Sequence, residues 1–310
     1  MEQPYKDFTQ YLNWKFPEYK VQKISLNSGF SCPNRDGSKG RGGCTYCNNS
    51  AFSPKYTQTE RSIKNQITAG KAFFQRKYPN MKYIAYFQSY TNTYGEIEQI
   101  KKLYKEALSC DDIVGITIGT RPDCISDELL DYLSRLNNKH YIYIEYGVES
   151  TSNSTLKRIN RHHTYEESVE AIEKTAQRGI PVGAHLIIGL PGEQNEDYIN
   201  HIRRLSKLPL TSLKMHQLQI LKNTAMAIEY RQNPKPYKLF TIKEYLETVG
   251  QLLRNMRPTI YLDRFTSQAP SELLIAPKWG IKNYQFVSQL QEYMRHNGWK
   301  QGDLYINDSI

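Results

Sequence analysis

The stretch VQKISLNSGFSCPNRDGSKGRGGCTYC, residues 21–47, joins a predicted β-strand to a glycine-rich loop that carries three cysteines. Cys32, Cys44 and Cys47 supply three thiolates with no histidine nearby, the ligand count of an iron-sulfur cluster that keeps one iron open to another ligand. The five glycines of the loop let the backbone take positive φ and approach a metal closely. The stretch therefore predicts a strand followed by a metal-binding loop.

A structural zinc site is the main alternative, because zinc sites also use cysteine pairs spaced like Cys44 and Cys47. Such sites normally take four protein ligands, and the fourth is missing from the loop. His140 is the first histidine of the chain, and Cys110 and Cys124 lie in other segments. The ligand count favours a cluster over zinc, and also over three unrelated buried cysteines, which seldom occupy so polar a loop.

Apolar runs of strand length recur along the chain with helical patterns between them, as is typical of βα units around a parallel sheet. The six predicted strands cover residues 21–26, 83–88, 113–118, 141–147, 182–188 and 213–220. Six units are too few to close an eight-unit barrel, so we predict an α/β fold, a partly open parallel (β/α)6 barrel. Its catalytic mouth should lie at the carboxyl ends of the strands, where the cysteine loop begins.

Two regions are predicted along the chain. Residues 1–257 form the barrel core with an N-terminal helical segment, and residues 258–310 form a C-terminal extension with a terminal helix near 284–297. The formal net charge of +10 indicates an anionic partner such as RNA, although a generally basic protein explains it equally well. The 24 tyrosines add little, because many fall at core-like positions.

The N-terminal residues 1–17 contain acidic side chains and no long apolar run, which indicates neither a signal peptide nor a membrane anchor. Five cysteines, three of them in one loop, suit a reducing compartment better than a disulfide scaffold. We therefore expect a cytoplasmic protein with no membrane partner.

These features resemble the radical S-adenosylmethionine (SAM) enzymes, whose three-cysteine loop after the first strand holds a 4Fe-4S cluster. The usual spacing is CxxxCxxC, whereas eleven residues separate Cys32 from Cys44, a departure shared in kind by the catalytic subunit of Elongator and its bacterial relatives. Within this superfamily the chain more closely resembles the bacterial YtqA/YhcC family. The segments that carry this likeness are GFSCPNRDG at 29–37, YTNTY at 90–94, GTRPDC at 119–124 and LIIGLPGE at 186–193.

The resemblance implies a radical SAM barrel with two cofactors, a 4Fe-4S cluster held by Cys32, Cys44 and Cys47, and SAM bound at the open iron. A reducing electron donor such as flavodoxin or ferredoxin supplies the electron that breaks a carbon-sulfur bond of SAM, and the resulting 5'-deoxyadenosyl radical abstracts a hydrogen atom. No catalytic residue is assigned beyond the cluster. Cys110 and Cys124 are too few thiols for a second cluster, so no auxiliary cluster is predicted.

The SAM contacts implied by the resemblance come from the ends of strands. They are Gln88, Ser89, Tyr90, Arg121, Glu145, Glu149, Ile187 and Gly189. Residues 88–90 stand where the superfamily usually has a Gly-Gly-Glu-like segment that contacts the methionine amine, and the glutamate is absent here. Ile187 and Gly189 belong to a segment that resembles the one packing on adenine.

The charged members of this set have alternative explanations. Glu145 or Glu149 could accept hydrogen bonds from the ribose hydroxyls, or could form a surface ion pair instead. Arg121 could bind a carboxylate or phosphate with its fork of donors, or could anchor its loop through a salt bridge.

Three polar residues interrupt otherwise apolar strands. They are His185, Lys214 and His216, and strand alternation places Lys214 and His216 on one face. If that face points into the barrel, these residues line the substrate chamber. Satisfied core positions or positions on the outer face explain them nearly as well.

The resemblance to the YtqA branch implies a tRNA partner, in which 5-carboxymethylaminomethyl-(2-thio)uridine at the wobble position becomes 5-aminomethyl-(2-thio)uridine. The target base must leave its stack to reach a buried cluster, so Arg264, Lys278 and Trp279 of the extension could contact the anticodon. Ordinary packing is the alternative for Trp279. Two other interpretations stay open, a radical SAM enzyme acting on a small molecule and a metal-stabilised RNA-binding protein that is not an enzyme.

Overall fold

A curled parallel sheet organises the computed structural model, which describes residues 3–60, 62–75 and 81–306. The strands in chain order are β1 Val21–Leu26, β2 Lys82–Phe87, β3 Ile113–Thr120, β4 Tyr141–Glu149, β5 Val182–Ile188, β6 Ser212–Gln217, β7 Ile220–Leu221, β8 Tyr261–Arg264 and β9 Leu274–Ala276. Strands β1 to β6 follow one another across the sheet, and β8 pairs with β6 to give seven parallel strands within the described residues. Strands β7 and β9 form a separate antiparallel pair.

The helices mostly connect successive strands. Those in the described residues are α1 Phe8–Lys15, α2 Tyr56–Thr59, α3 Ile63–Gln75, α4 Ile97–Leu108, α5 Asp127–Asn137, α6 Asn153–Arg158, α7 Tyr165–Gln177, α8 Asn195–Ser206, α9 Ala225–Gln232, α10 Ile242–Arg254 and α11 Asn283–His296. Capping boxes define two of the starts, Thr164 with Glu167 at α7 and Thr241 with Glu244 at α10. These side chains satisfy amides that the first turn leaves unpaired.

The hydrophobic core lies between the sheet and its helices. All nine residues of β4 are buried, as expected for a central parallel strand with both faces covered. On β1, Ile24 and Leu26 are fully buried, and Ile63 and Ile67 of α3 belong to the same core cluster. One face of each strand therefore packs under helices, which leaves the opposite face of the curled sheet to line the interior of the barrel.

The six predicted βα units are confirmed, and the fold is the predicted partly open α/β barrel. A seventh strand, β8, joins them from the region predicted as the C-terminal extension. Its four residues, Tyr-Leu-Asp-Arg, include two charges and so lack the apolar signature of a buried strand. The predicted terminal helix is α11. Residues 1, 2, 61, 76–80 and 307–310 of the two predicted regions lie outside the described residues.

The predicted sixth strand, 213–220, was wrong in extent. Strand β6 ends at Gln217, and residues 220–221 belong to the β7–β9 pair instead. The side chains of Gln217 and Gln219 bond the backbone of Ser267 at the point where the chain leaves the sheet. Across the part of the chain described here, no helix combines the length and the apolar character needed to cross a membrane.

Candidate active site

One cavity at the carboxyl ends of the strands contains all three cysteines of the loop. Its walls include Thr120 and Glu149, which are the last residues of β3 and β4. Cys32, Cys44 and Cys47 are free thiols. The loop therefore lies at the mouth of the barrel, where the sequence predicts it.

Two glycines shape the loop immediately before Cys44. Gly42 and Gly43 have φ values of 79° and 81°, a region that side chains rarely tolerate. A Cβ on Gly43 would also lie 3.0 Å from Nε of Arg35. The turn then continues to Cys47, whose backbone N–H donates to the carbonyl oxygen of Cys44 at 3.0 Å. The loop thus needs glycine at these positions to present its cysteines.

Polar donors surround the thiols. Arg161 Nη1 lies 3.5 Å from Cys44 Sγ, and Asn34 Nδ2 lies 3.4 Å from the same sulfur. Arg35 Nη2 donates to the carbonyl oxygen of Cys47 at 2.9 Å. These donors place N–H groups and positive charge beside the Cys44 sulfur and the backbone of the cysteine loop.

The sequence patterns did not indicate these supporting residues. Arg35 and Asn34 lie within the cysteine loop and could have been suspected from that position alone. Arg161 stands 117 residues from Cys44 in the chain, so no local spacing could connect the two.

The Cys47 thiol is protonated when no metal is bound to it. Burial, together with the neighbouring Cys44, raises the pKa of the Cys47 thiol to about 11, although Arg35 acts to lower it. At neutral pH the free thiol therefore keeps its proton. A metal ligand role requires a cation that displaces this proton.

The arrangement fits a cluster better than a single zinc ion. In the described ranges, no three His, Cys, Asp or Glu side chains stand close enough together to hold one metal ion. A zinc site gathers four ligands around one ion, whereas each cysteine of a 4Fe-4S cluster binds a different iron, so its sulfurs stand further apart. Three free thiols around one cavity match the second pattern.

Most of the predicted SAM contacts line this same cavity. They are Gln88, Ser89, Tyr90, Arg121, Glu145, Glu149 and Ile187. Gly189 instead has a φ of 99°, and a Cβ there would lie 3.0 Å from the carbonyl oxygen of Lys238 and 3.1 Å from the ring of Phe240. This glycine allows two backbone segments to pack closely, and it lies away from the cavity wall.

Arg121 is largely committed to its own loop. Its Nε and Nη2 each donate to the Asp123 carboxylate at 2.9 Å, and Nη2 also donates to the carbonyl oxygen of Arg161 at 2.9 Å. Only Nη1 is buried without a partner among the described residues. The loop-anchoring salt bridge is thus the interaction that the structure shows.

Glu149 differs from Arg121 in being open to the cavity. Its side chain is 12% exposed, and its Oε1 lies 3.7 Å from Arg161 Nη2. The residue has a φ of 68°, an uncommon value for a side chain larger than glycine. Arg161 also donates to the carbonyl oxygen of Gly147 at 2.6 Å, so one arginine holds both the strand end and the cysteine loop.

Glu145, in the middle of β4, lies deeper and is the centre of an ionic network. Its Oε1 accepts from Lys23 Nζ at 2.7 Å, and its Oε2 accepts from Lys214 Nζ at 2.8 Å and from Tyr86 Oη at 2.7 Å. His185 Nε2 lies 2.9 Å from the same Oε2. Burial acts to raise the pKa of Glu145, but Lys214 and Lys23 outweigh it and hold the pKa well below its usual range.

The network accounts for Glu145 without a cofactor, since four groups already surround its two oxygens. Lys23 and Tyr86 take part in it and were not indicated by the sequence patterns. Strand alternation is the signal that could have found them, because both stand on apolar strands on the face opposite the helices.

Four of the six predicted substrate contacts line the catalytic cavity, namely His185, Lys214, His216 and Arg264. Burial lowers the pKa of His216 to about 4, so its imidazole is neutral at physiological pH. Arg264, the last residue of β8, is exposed and forms no hydrogen bond or ion pair with the rest of the described chain. It is therefore a cation in the cavity wall that is free to bind a ligand.

The other two predicted contacts, Lys278 and Trp279, line a second cavity. Trp279 Nε1 donates to the carbonyl oxygen of Phe240 at 2.8 Å, and its ring packs parallel to Phe286 with 6.1 Å between centroids. These contacts give Trp279 the packing role that was its alternative. It still contributes to the wall of the second cavity.

Fold and site together define a barrel enzyme with a three-cysteine cluster site at the carboxyl ends of its strands. The sequence pattern of the Radical SAM superfamily matches residues 32–205, and that of the Radical_SAM C-terminal domain matches residues 210–296. The chain belongs to the radical SAM superfamily. Enzymes of this superfamily use a 4Fe-4S cluster and SAM and require a reductant, and so does this one.

Relatives from bacteria match nearly the whole chain. Protein YhcC of Escherichia coli (strain K12) is 35% identical over 280 residues, which cover 90% of this chain and 89% of YhcC. YtqA of Bacillus subtilis (strain 168) is 32% identical over 297 residues, which cover 95% of this chain and 92% of YtqA. The resemblance given by the four sequence segments is thereby confirmed.

The fold is similar to that of a solved archaeal protein. The structure of Methanocaldococcus infernus Elp3 with an N-terminal deletion of residues 1–46 superimposes with a TM-score of 0.71 at 16% identity. The match covers 91% of this chain and 64% of the Elp3 chain, so it spans less than two thirds of that protein. At this identity the likeness concerns the fold.

Proposed function

We propose that this radical SAM enzyme modifies tRNA at the wobble uridine, converting 5-carboxymethylaminomethyl-(2-thio)uridine to 5-aminomethyl-(2-thio)uridine. Support comes from the similarity to YtqA and YhcC, from the cavity chemistry and from the basic charge. In this proposal residues 1–257 form the catalytic core together with β8, and residues 258–310 contribute contacts to the RNA.

Cys32, Cys44 and Cys47 hold the cluster, with Arg161, Asn34 and Arg35 as the donors around their sulfur atoms and backbone. SAM binds beside it among residues 88–90, Glu149 and Ile187, which line the same cavity. Once bound, these cofactors supply the 5'-deoxyadenosyl radical that removes a hydrogen atom from the substrate.

The protein's own residues exclude water and orient the substrate in the cavity. The observation that carries the proposal is Arg264, an unpaired cation in the wall of the cavity that contains the three cysteines. The substrate side chain ends in a carboxylate, and a guanidinium binds a carboxylate through two parallel hydrogen bonds. Lys214 adds positive charge nearby, although its Nζ is already within 3.5 Å of both Glu145 and Asp263.

Net charge supports an RNA partner. With a formal charge of +10, the chain attracts the phosphate backbone by a force that does not depend on sequence. We further propose a cytoplasmic enzyme that receives electrons from a small reductant such as flavodoxin or ferredoxin.

The test is the nucleoside content of tRNA from a strain that lacks the gene. We expect the aminomethyl nucleoside to be lost and its carboxymethylaminomethyl precursor to accumulate. Wild-type protein and Cys110→Ala should restore the product, whereas Cys44→Ala should not. Unchanged nucleosides in the deletion strain would overturn the tRNA proposal while leaving the radical SAM assignment intact.

A further inference from the structure

A second cavity of about 340 Å³ lies next to the catalytic cavity, and Lys278 and Trp279, two of the predicted RNA contacts, line it. It is formed by the end of β6, by residues 266–271 and by residues 277–281. Ser267 lines both cavities, so they share a wall. A volume of this size lies within the range of about 300–1,000 Å³ that small-ligand sites occupy.

Strand β6 places different residues toward the two cavities. Lys214 and His216 line the catalytic cavity, whereas Gln217 lines the second cavity. Successive side chains of a strand point to opposite faces, so the two cavities lie on the two sides of this strand end. A ligand that extends from one cavity to the other would pass Ser267.

The floor of the second cavity is a buried polar cluster. Gln217 Nε2 and Gln219 Nε2 both donate to the carbonyl oxygen of Ser267, at 3.4 and 3.1 Å. The backbone N–H of Ser267 in turn donates to Gln217 Oε1 at 3.1 Å. Because a carbonyl oxygen can only accept, these bonds fix which end of each amide faces Ser267.

One acceptor of this cluster has no donor. Gln219 is 8% exposed, and its Oε1 is buried without a hydrogen-bond partner in the described residues. Buried polar atoms are nearly always paired, so this unpaired oxygen, on a residue that lines the cavity, is available to a ligand that brings its own N–H or O–H group. The amide of Gln217 and the backbone N–H and carbonyl oxygen of Ser267 are already bonded, so Gln219 Oε1 is the acceptor where that donor would bind.

The rim adds two complementary features. The Trp279 indole lines the cavity, and Lys278 stands exposed beside it. Unpaired bases pack against aromatic rings and present N–H donors on their edges, while their phosphates favour a nearby ammonium group. An acceptor, an aromatic ring and a cation around one cavity together match a nucleotide.

We propose that the second cavity binds an unpaired nucleotide of the RNA substrate, a direct neighbour of the nucleotide whose base enters the catalytic cavity. This inference rests on the proposed function. It assigns Gln219 to the base edge, Trp279 to the base surface and Lys278 to the phosphate.

The test uses the reconstituted enzyme and an anticodon stem-loop RNA, with affinity measured by fluorescence anisotropy at fixed salt. The base on the 5' or the 3' side of the wobble uridine is replaced by an abasic residue, which leaves the protein unchanged. The protein variants are Gln219→Met and, as a matched control, Gln289→Met on the exposed surface of α11. Each RNA is measured with each protein.

We expect the abasic residue at one of the two positions to weaken wild-type binding about tenfold, and Gln219→Met to weaken binding of the intact RNA similarly. The two changes together should cost no more than either alone, and Gln289→Met should behave as wild type. Independent, multiplying effects, or no effect of either change, would overturn the proposal while the proposed function stands. Failure of the wild type to bind the intact RNA would count against the proposed function itself.

A free nucleotide has the same chemistry as a nucleotide of the RNA. An additional binding experiment distinguishes the two. Adenosine and uridine 5'-monophosphates are titrated against wild type and Gln219→Met, followed by calorimetry. Binding that depends on Gln219, combined with RNA affinity that does not, would assign the cavity to a free nucleotide and overturn the proposal.

Discussion

Lys23 on the first strand and Asp263 on the last strand of the sheet form an ion pair, with 2.9 Å between Nζ and Oδ2. Strands β1 and β8 are the two edges of the curled sheet, so this pair spans the opening that the partly open barrel leaves. The backbone N–H of Leu262 also donates to the carbonyl oxygen of Lys6 at 2.8 Å. Residues of β8 thus hold the two edges of the sheet together, through the Lys23–Asp263 ion pair, and also bind the N-terminal segment through Leu262.

Glu145→Gln should lower the free energy of unfolding by about 3–5 kcal/mol, because it leaves Lys23 and Lys214 buried with only Asp263 as a counter-ion. Guanidinium chloride unfolding under anaerobic conditions measures the change. The control Glu98→Gln, whose side chain is 72% exposed, should cost less than about 1 kcal/mol. Equal effects of the two substitutions would contradict the network as described.

His216 should make stability depend on pH. Its pKa is lowered from 6.5 to about 4 by burial, so between these values the unfolded chain binds a proton that the folded protein does not. The free energy of unfolding is therefore unaffected by this histidine above pH 6.5. As the pH falls from 6.5 to 4, it decreases by at most about 3 kcal/mol.

The measurement for this residue is the unfolding midpoint between pH 4 and pH 7. His216→Gln should show a shallower loss than wild type over this range, whereas His296→Gln, at an exposed position, should follow the wild-type curve. Identical pH profiles for wild type and His216→Gln would refute the buried neutral imidazole.

Gly43→Ala should reduce the iron content of the reconstituted protein severalfold. The alanine would have to keep a backbone φ of 81°, which side chains rarely tolerate. Its Cβ would also lie 3.0 Å from Arg35 Nε, next to Cys44. Gly179→Ala is the matched control, since its φ is 72° but the space around it is open. The control should lose about 1 kcal/mol of stability and keep its iron. Iron loss in both variants would point to a general folding defect.

Arg264→Gln should raise the KM for tRNA about tenfold or more, because it removes the unpaired cation of the cavity wall. SAM cleavage in the absence of RNA should stay near the wild-type rate. Arg231→Gln, an exposed arginine of α9, serves as the control for net charge. An equal rise in KM for both variants would mean that Arg264 acts only through the overall charge.

The sequence predicted those features that depend on local pattern. Cysteine spacing and glycines indicated the cluster loop, and apolar runs indicated six of the seven parallel strands. Strand β8 was not predicted, because two of its four residues are charged. Such a short segment becomes a strand only through its pairing with β6 and its contact with the N-terminal region.

The candidate site was predictable where residues follow strand ends, as Gln88 and Glu149 do. Arg161 was not predictable, because it meets Cys44 only through the fold. Gly189 also has a packing role that the pattern did not indicate, since a Cβ there would meet the carbonyl oxygen of Lys238 and the ring of Phe240. Contacts between side chains on distant segments, such as Arg161 and Cys44, can be identified only from the folded structure.

The cluster held by Cys32, Cys44 and Cys47, and its cleavage of SAM, can be tested directly. We would purify the chain without oxygen, reconstitute it, and measure iron, sulfide and the 5'-deoxyadenosine formed from SAM under reduction, for wild type and Cys44→Ala. Wild type should hold about four irons per chain and form 5'-deoxyadenosine, and the variant should lose both. Bound zinc with no SAM cleavage by the wild-type protein would contradict the cluster assignment.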